Sequence, residues 1–163
     1  MVAAELDETP QPAEIPRLYA QRLARAKAVA VAVPGCFTLA ADTVVAVGRR
    51  ILPKAETAAE IASCLARLSG RRHHVITAIV LVAPDATQTE RVTDTALAFA
   101  RLHPSQIAAY AACGEGEGKA GGYAIQGRAA AFVRELIGSY SGVVGLPLFE
   151  TAQLLRGRGY PVP

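Results

Sequence analysis

The chain has 163 residues, of which 52% are hydrophobic and 19% charged, and a formal net charge of +3. That length suits one domain, residues 1–163, with a buried core, and the apolar content excludes a disordered chain. The charge is small and scattered apart from Arg49-Arg50 and Arg71-Arg72, and aromatics make up only 6%, which argues against a nucleic-acid partner and for a small anionic ligand. Residues 1–12 carry Glu5, Asp7 and Glu8 and have no basic segment followed by an apolar one, so they do not read as a secretory signal. No apolar stretch approaches the ~20 residues of a membrane span, so no membrane association is expected. Cys36, Cys64 and Cys113 lie far apart without Cys-x-x-Cys spacing, which fits reduced packing cysteines in the cytoplasm rather than disulfides or a zinc site.

In chain order, Ile15, Leu18, Tyr19, Arg22, Leu23 and Ala26 recur at helical spacing after Pro16, and predict a first helix over residues 14–31. Pro34-Gly35 ends it. Residues 37–47, rich in β-branched side chains, read as a mostly buried strand interrupted by Asp42 and Thr43. Thr57, with Glu60 three positions on, is spaced as a capping box. It opens a second helix with Ile61, Leu65 and Leu68 on its buried face and Ser69-Gly70 at its end. Two strands, 74–83 and 91–100, flank the turn-like Pro84-Asp85-Ala86-Thr87 and should pair as a hairpin. Pro104 and Ser105 start a short helix carrying Ile107 and Tyr110. Residues 114–127 read as an irregular glycine-rich loop, 130–136 as a strand and 148–155 as a last helix. The alternation predicts an α/β fold, a mixed twisted sheet flanked by helices.

Asp42, inside Leu39-Ala40-Ala41-Asp42-Thr43-Val44-Val45, is the foremost candidate for chemistry. A buried carboxylate is costly unless a partner compensates it. The alternative is that Asp42 caps a bulge or turn. The glycine loop formally contains Gly116-x-Gly118-x-x-Gly121, but it follows a helix rather than a strand, so a dinucleotide fingerprint fails. Cys113 and Ala120 stand where a phosphate-binding Walker loop needs glycine and a hydroxyl. Tyr123 and Gln126 are the loop side chains best suited to touch a ligand, Gln126 as both donor and acceptor.

Ala41-Asp42-Thr43, Lys54, and Gly118-Lys119-Ala120-Gly121-Gly122-Tyr123-Ala124-Ile125-Gln126-Gly127, with Asp7-Glu8-Thr9, Gly138-Ser139-Tyr140 and Gly145-Leu146-Pro147-Leu148, resemble the Maf family of nucleoside triphosphate pyrophosphatases. The chain has three lysines, Lys27, Lys54 and Lys119, and all three fall on family positions. His73 also matches one and reads as structural. Gly118 and Ala55 depart from the pattern, which has aspartate and proline there. The resemblance implies the fold shared with inosine triphosphate pyrophosphatase. It also implies a strand, a helix and a Ser-x-Ser-Pro-Arg-Arg phosphate turn ahead of residue 1, so the chain is expected to be an N-terminally shortened form.

The implied reaction is hydrolysis of a nucleoside triphosphate between its α and β phosphorus atoms, with Mg²⁺ or Mn²⁺ as cofactor. The resemblance places Asp42 at the end of a central strand, activating water or holding metal with Glu8. Lys27, Lys54 and Lys119 would neutralise phosphate oxygens. Thr43 and Gln126 resemble the branch that hydrolyses dTTP and UTP, and a homodimer is implied. A second reading is a catalytically impaired relative that binds nucleotide or regulates cell division.

Overall fold

A computed structural model describes residues 6–162. Helix α1 spans Pro16–Val31, two residues later than expected, with Pro16 at its first position and Ile15 extended before it. Its buried stripe is Tyr19, Ala20, Leu23, Ala24 and Ala28. Leu18, expected on that face, is 56% exposed, because the stripe set by Pro16, Tyr19, Ala20, Leu23 and Ala24 puts position 18 on the opposite side of the helix.

Strand β1 (Thr38–Val47) turns through Gly48 into β2 (Arg50–Leu52), and β3 (Lys54–Ala55) follows. Helix α2 (Ala58–Leu68) has the expected capping box: Glu60 N–H donates to Thr57 Oγ1 at 3.2 Å, and Thr57 N–H to Glu60 Oε2 at 3.0 Å. The hairpin forms from β4 (Arg72–Val82) and β5 (Gln88–Phe99), each begun two or three residues earlier than expected. Its turn is held by Thr87 N–H donating to Asp85 Oδ1 at 2.9 Å. Helix α3 is Pro104–Ala112.

The glycine loop is less irregular than its composition implies: β6 (Lys119–Ala120) pairs with β3, Lys54 opposite Ala120 and Ala55 opposite Lys119. The strand expected over 130–136 starts later. Residues Arg128–Phe132 wind as a 3₁₀ turn, and β7 covers Val133–Ile137. Helices α4 (Tyr140–Val144) and α5 (Leu148–Gly157) close the fold.

The five-stranded sheet has the order β2-β1-β4-β5-β7. The α/β character and the flanking helices match the expectation, and each of the four ladders runs antiparallel rather than mixing directions. Two of these pairs are joined by tight turns, which require reversal. Side chains alternate between the faces. Ala40, Val44, Ile76, Ala78 and Val80 pack against α1; Val45, Val75, Leu97 and Phe99 pack with α2 and α3, and Ile79 and Leu81 with Leu154 of α5. On the side away from β4, β1 pairs with β2 only at Val45, Ala46 and Val47. Residues 38–44 therefore meet no strand there among the described residues.

Candidate active site

Asp42 lies in the middle of β1, opposite Ala78 in an unbroken register. It neither ends a strand nor caps a bulge, which corrects both sequence expectations. Alternation turns its side chain to the α1 face, with Ala40 and Val44, where it is 6% exposed. Helix α1 supplies the compensation: Lys27 Nζ donates to Asp42 Oδ1 at 2.5 Å and also contacts Glu8 Oε1 at 2.8 Å. Glu8 comes from the segment ahead of α1, which Tyr19 ties down by donating its hydroxyl to the Glu8 carbonyl at 2.6 Å. The other carboxylate oxygen of Glu8 accepts from Lys54 of β3.

Burial pushes the Asp42 carboxyl above its ordinary value, further than Lys27 brings it down, and the charge of Glu8 adds to the rise. Lys27 is held above its usual value although burial opposes this, because it bonds two carboxylates. Both directions stand together: the lysine gains two partners, whereas the deeper carboxylate gains one. Glu8 is also desolvated, but its two lysine partners outweigh that and hold it low.

Thr43 points to the opposite face of the sheet. Its Oγ1 lies 2.9 Å from Thr77 Oγ1 of β4, which in turn donates to the Gly142 carbonyl of α4 at 2.7 Å. Because β1 is open along residues 38–44, side chains of both faces reach one cavity of about 570 Å³, lined by Lys27, Asp42, Thr43, Lys54, Lys119 and Tyr123 among others. A neighbouring hollow of about 290 Å³ shares Asp42, Thr43 and Lys54 and adds Glu8 and Tyr19. A larger hollow of about 840 Å³, between α2 and α3 and lined by Arg71, Arg101 and His103, contains none of these residues. It lacks the buried carboxylate and the lysines, so the chemistry does not sit there.

The β3–β6 ladder carries Lys54 and Lys119 into the cavity wall. Gly121 makes this approach possible. Its φ is +69°, and an added Cβ would lie 2.8 Å from Val45 Cγ1. Six of the sequence candidates, Glu8, Lys27, Asp42, Thr43, Lys54 and Lys119, thus surround two adjoining hollows. Gln126 does not join them. It is exposed on the turn before the 3₁₀ segment and lines neither hollow. His73 is structural as expected: it is fully buried, bonded through Nε2 to Tyr123 Oη at 2.9 Å, and burial brings its pKa down to about 4.

Nothing in the sequence singles out Tyr19 or Gly142. Thr77 was findable as the one hydroxyl in the apolar run from Val75 to Val82. Among the described residues no group of three or more His, Cys, Asp or Glu could hold a metal ion, and no helix is long and apolar enough to cross a membrane. Glu8 and Asp42 offer hard carboxylate oxygens converging on a single ammonium. That donor set fits Mg²⁺ or Mn²⁺, which proteins hold through one or two carboxylates together with substrate phosphates.

Residues 1–158 match the family pattern described as Maf-like protein. Among the most similar relatives, a protein of Paramagnetospirillum magneticum named dTTP/UTP pyrophosphatase is 60% identical over 96% of this chain and 84% of its own length. One of Rhodospirillum rubrum with the same name is 62% identical over 96% of this chain and 76% of its own. A third, from Caulobacter vibrioides, again so named, is 54% identical over 96% and 82%. With a match of that extent, and the matching motifs gathered around one buried carboxylate, the chain belongs to the Maf-like protein family.

Proposed function

We propose that this chain is a nucleoside triphosphate pyrophosphatase that hydrolyses dTTP and UTP to the monophosphate and pyrophosphate, working as a single domain. The observation that carries this reading is the cavity into which all three lysines of the chain project, beside a buried carboxylate held by one of them. The names of the relatives above supply the substrate class.

In the proposed reaction the Asp42 carboxylate takes a proton from a water, and the water oxygen bonds to the α phosphorus. The bond from the α phosphorus to the α–β bridging oxygen breaks, and that oxygen keeps the electron pair and leaves as part of pyrophosphate. A carboxyl raised above its ordinary value is a better base near neutral pH. Lys27, Lys54 and Lys119 stand as point charges for the non-bridging oxygens and the leaving pyrophosphate. A divalent cation held by Glu8 and Asp42 would neutralise further phosphate charge. Thr43 would meet the base, on the side of the cavity lined by uncharged Val143, Val144 and Gly145. Gln126, outside the lining, is kept as a base contact on the resemblance alone.

A second copy of the chain is the proposed partner, supported by Ile137, Tyr140, Val144, Leu148 and Phe149, all about half exposed or more around α4 and the start of α5. The cytoplasm is the proposed compartment, supported by three free cysteines.

The test is pyrophosphate release from dTTP, UTP, CTP and GTP with Mg²⁺ or Mn²⁺. Preferential release from dTTP and UTP is expected. No release from any of the four with either cation, from a cooperatively folded chain, would overturn the reading and leave a nucleotide-binding relative without turnover.

A further inference from the structure

The Thr43–Thr77–Gly142 chain has a determined direction. A carbonyl can only accept, so Thr77, fully buried, donates its single proton to Gly142 O at 2.7 Å. The opposite arrangement would leave two oxygens facing each other at that distance with no proton between them, in a place closed to water. Gly142 O is further fixed by the Gly145 N–H, which donates to it at 3.1 Å. With its proton committed, Thr77 Oγ1 can only accept from Thr43 Oγ1, 2.9 Å away. The Thr43 proton is therefore turned inward, and toward the cavity Thr43 shows lone pairs alone.

We propose that Thr77 is a specificity-determining positioning residue: by holding the Thr43 proton inward it makes Thr43 an obligate acceptor that reads the N3–H of a uracil or thymine ring. Cytosine presents a bare lone pair at N3, and two acceptors would then face each other in a desolvated site. Thr43 projects toward Gly145, where an added Cβ would sit 3.9 Å from its Oγ1. Val143, Val144 and Gly145, which line the cavity with Thr43, carry no charge and suit the base rather than the phosphates. The inference rests on the pyrimidine triphosphate reading above and adds the group that sets the polarity of base recognition.

The test compares kcat/KM for UTP and CTP in the parent, Thr77→Val and Thr77→Ser. Valine nearly preserves shape but cannot accept, so the Thr43 hydroxyl becomes free to rotate and donate. The UTP-to-CTP ratio should fall about tenfold, chiefly through KM, and serine should retain the parent ratio. Equal losses on both nucleotides, or a serine variant behaving like valine, would overturn the inference. Thr77→Ala removes the same hydroxyl without the second branch and serves if the valine variant does not fold. Calorimetric binding of the α,β-methylene analogues of UTP and CTP reads base discrimination without turnover. A parent that releases no pyrophosphate but binds the uracil analogue more tightly, with the preference lost in Thr77→Val, fails the enzyme reading while supporting the role of Thr77; a parent that binds both analogues equally, or a preference unchanged in Thr77→Val, overturns that role.

Discussion

Lys27 of α1 and Asp42 of β1 form an ion pair between helix and sheet, Nζ to Oδ1 2.5 Å, with the carboxylate 6% exposed. A charge so placed is retained at a cost in desolvation, and the same cost raises its proton affinity. Asp42→Asn keeps the volume and removes the proposed base. It should lower kcat for dTTP by about 100-fold or more while the protein still melts cooperatively. Pyrophosphate release at the parent rate would remove Asp42 from the reaction.

The pH dependence of that step follows from the neighbours of Asp42. Because its carboxyl is raised, the acid limb of kcat/KM should lie above the ordinary carboxylate value of 3.8. Lys27 lowers it and Glu8 raises it. Lys27→Met should therefore move the limb to higher pH and Glu8→Gln to lower pH, whatever each does to the plateau. Limbs that coincide in all three proteins would show that another group titrates.

His73 makes a separate, structural prediction. Its folded pKa of about 4 lies below the ordinary 6.5 because burial disfavours the charged ring. Above pH 6.5 both the folded and the unfolded chain carry it neutral, and its full contribution is present. Between 6.5 and about 4 the unfolded chain binds the proton and the folded one does not, so stability falls as pH falls. At 1.36 kcal/mol per pH unit the loss amounts to about 3 kcal/mol. Urea denaturation from pH 7 to 4 should show this slope in the parent and a shallower one in His73→Gln, and identical slopes would contradict it.

Gly121→Ala should destabilise the fold by about 2 kcal/mol or more and raise KM. The φ of +69° strains alanine, and the new methyl would meet Val45 Cγ1 at 2.8 Å and Cβ at 2.9 Å. Those contacts are in the core under β1, so relief requires moving β6 and with it Lys119. Calorimetric melting and substrate saturation check both parts; an unchanged melting temperature would mean that the loop gives way freely.

Helix α2 and the β4–β5 hairpin could be read from the residues alone because their signals are local. Thr57 and Glu60 cap one turn, and Pro84-Asp85 punctuates an apolar run whose two arms are neighbours in sequence. Asp42 announced itself in the same way, as a carboxylate amid apolar residues. The late start of β7 escaped because a 3₁₀ turn over Arg128–Phe132 has no periodic signature of its own.

The site needed the fold. Lys54 and Lys119 are 65 positions apart and meet through two-residue strands too short to leave a pattern. Glu8, Lys27 and Asp42 converge because α1 packs on β1 through small alanines, and Thr43 finds Thr77 only through the register Thr43 opposite Thr77 across the β1–β4 ladder. Composition and spacing therefore settled which charged residues were present, three lysines and a carboxylate amid apolar neighbours. Helix packing and strand register, which depend on contacts between distant segments, settled that Asp42 sits mid-strand, that Gln126 stands apart, and which way the Thr43 proton points.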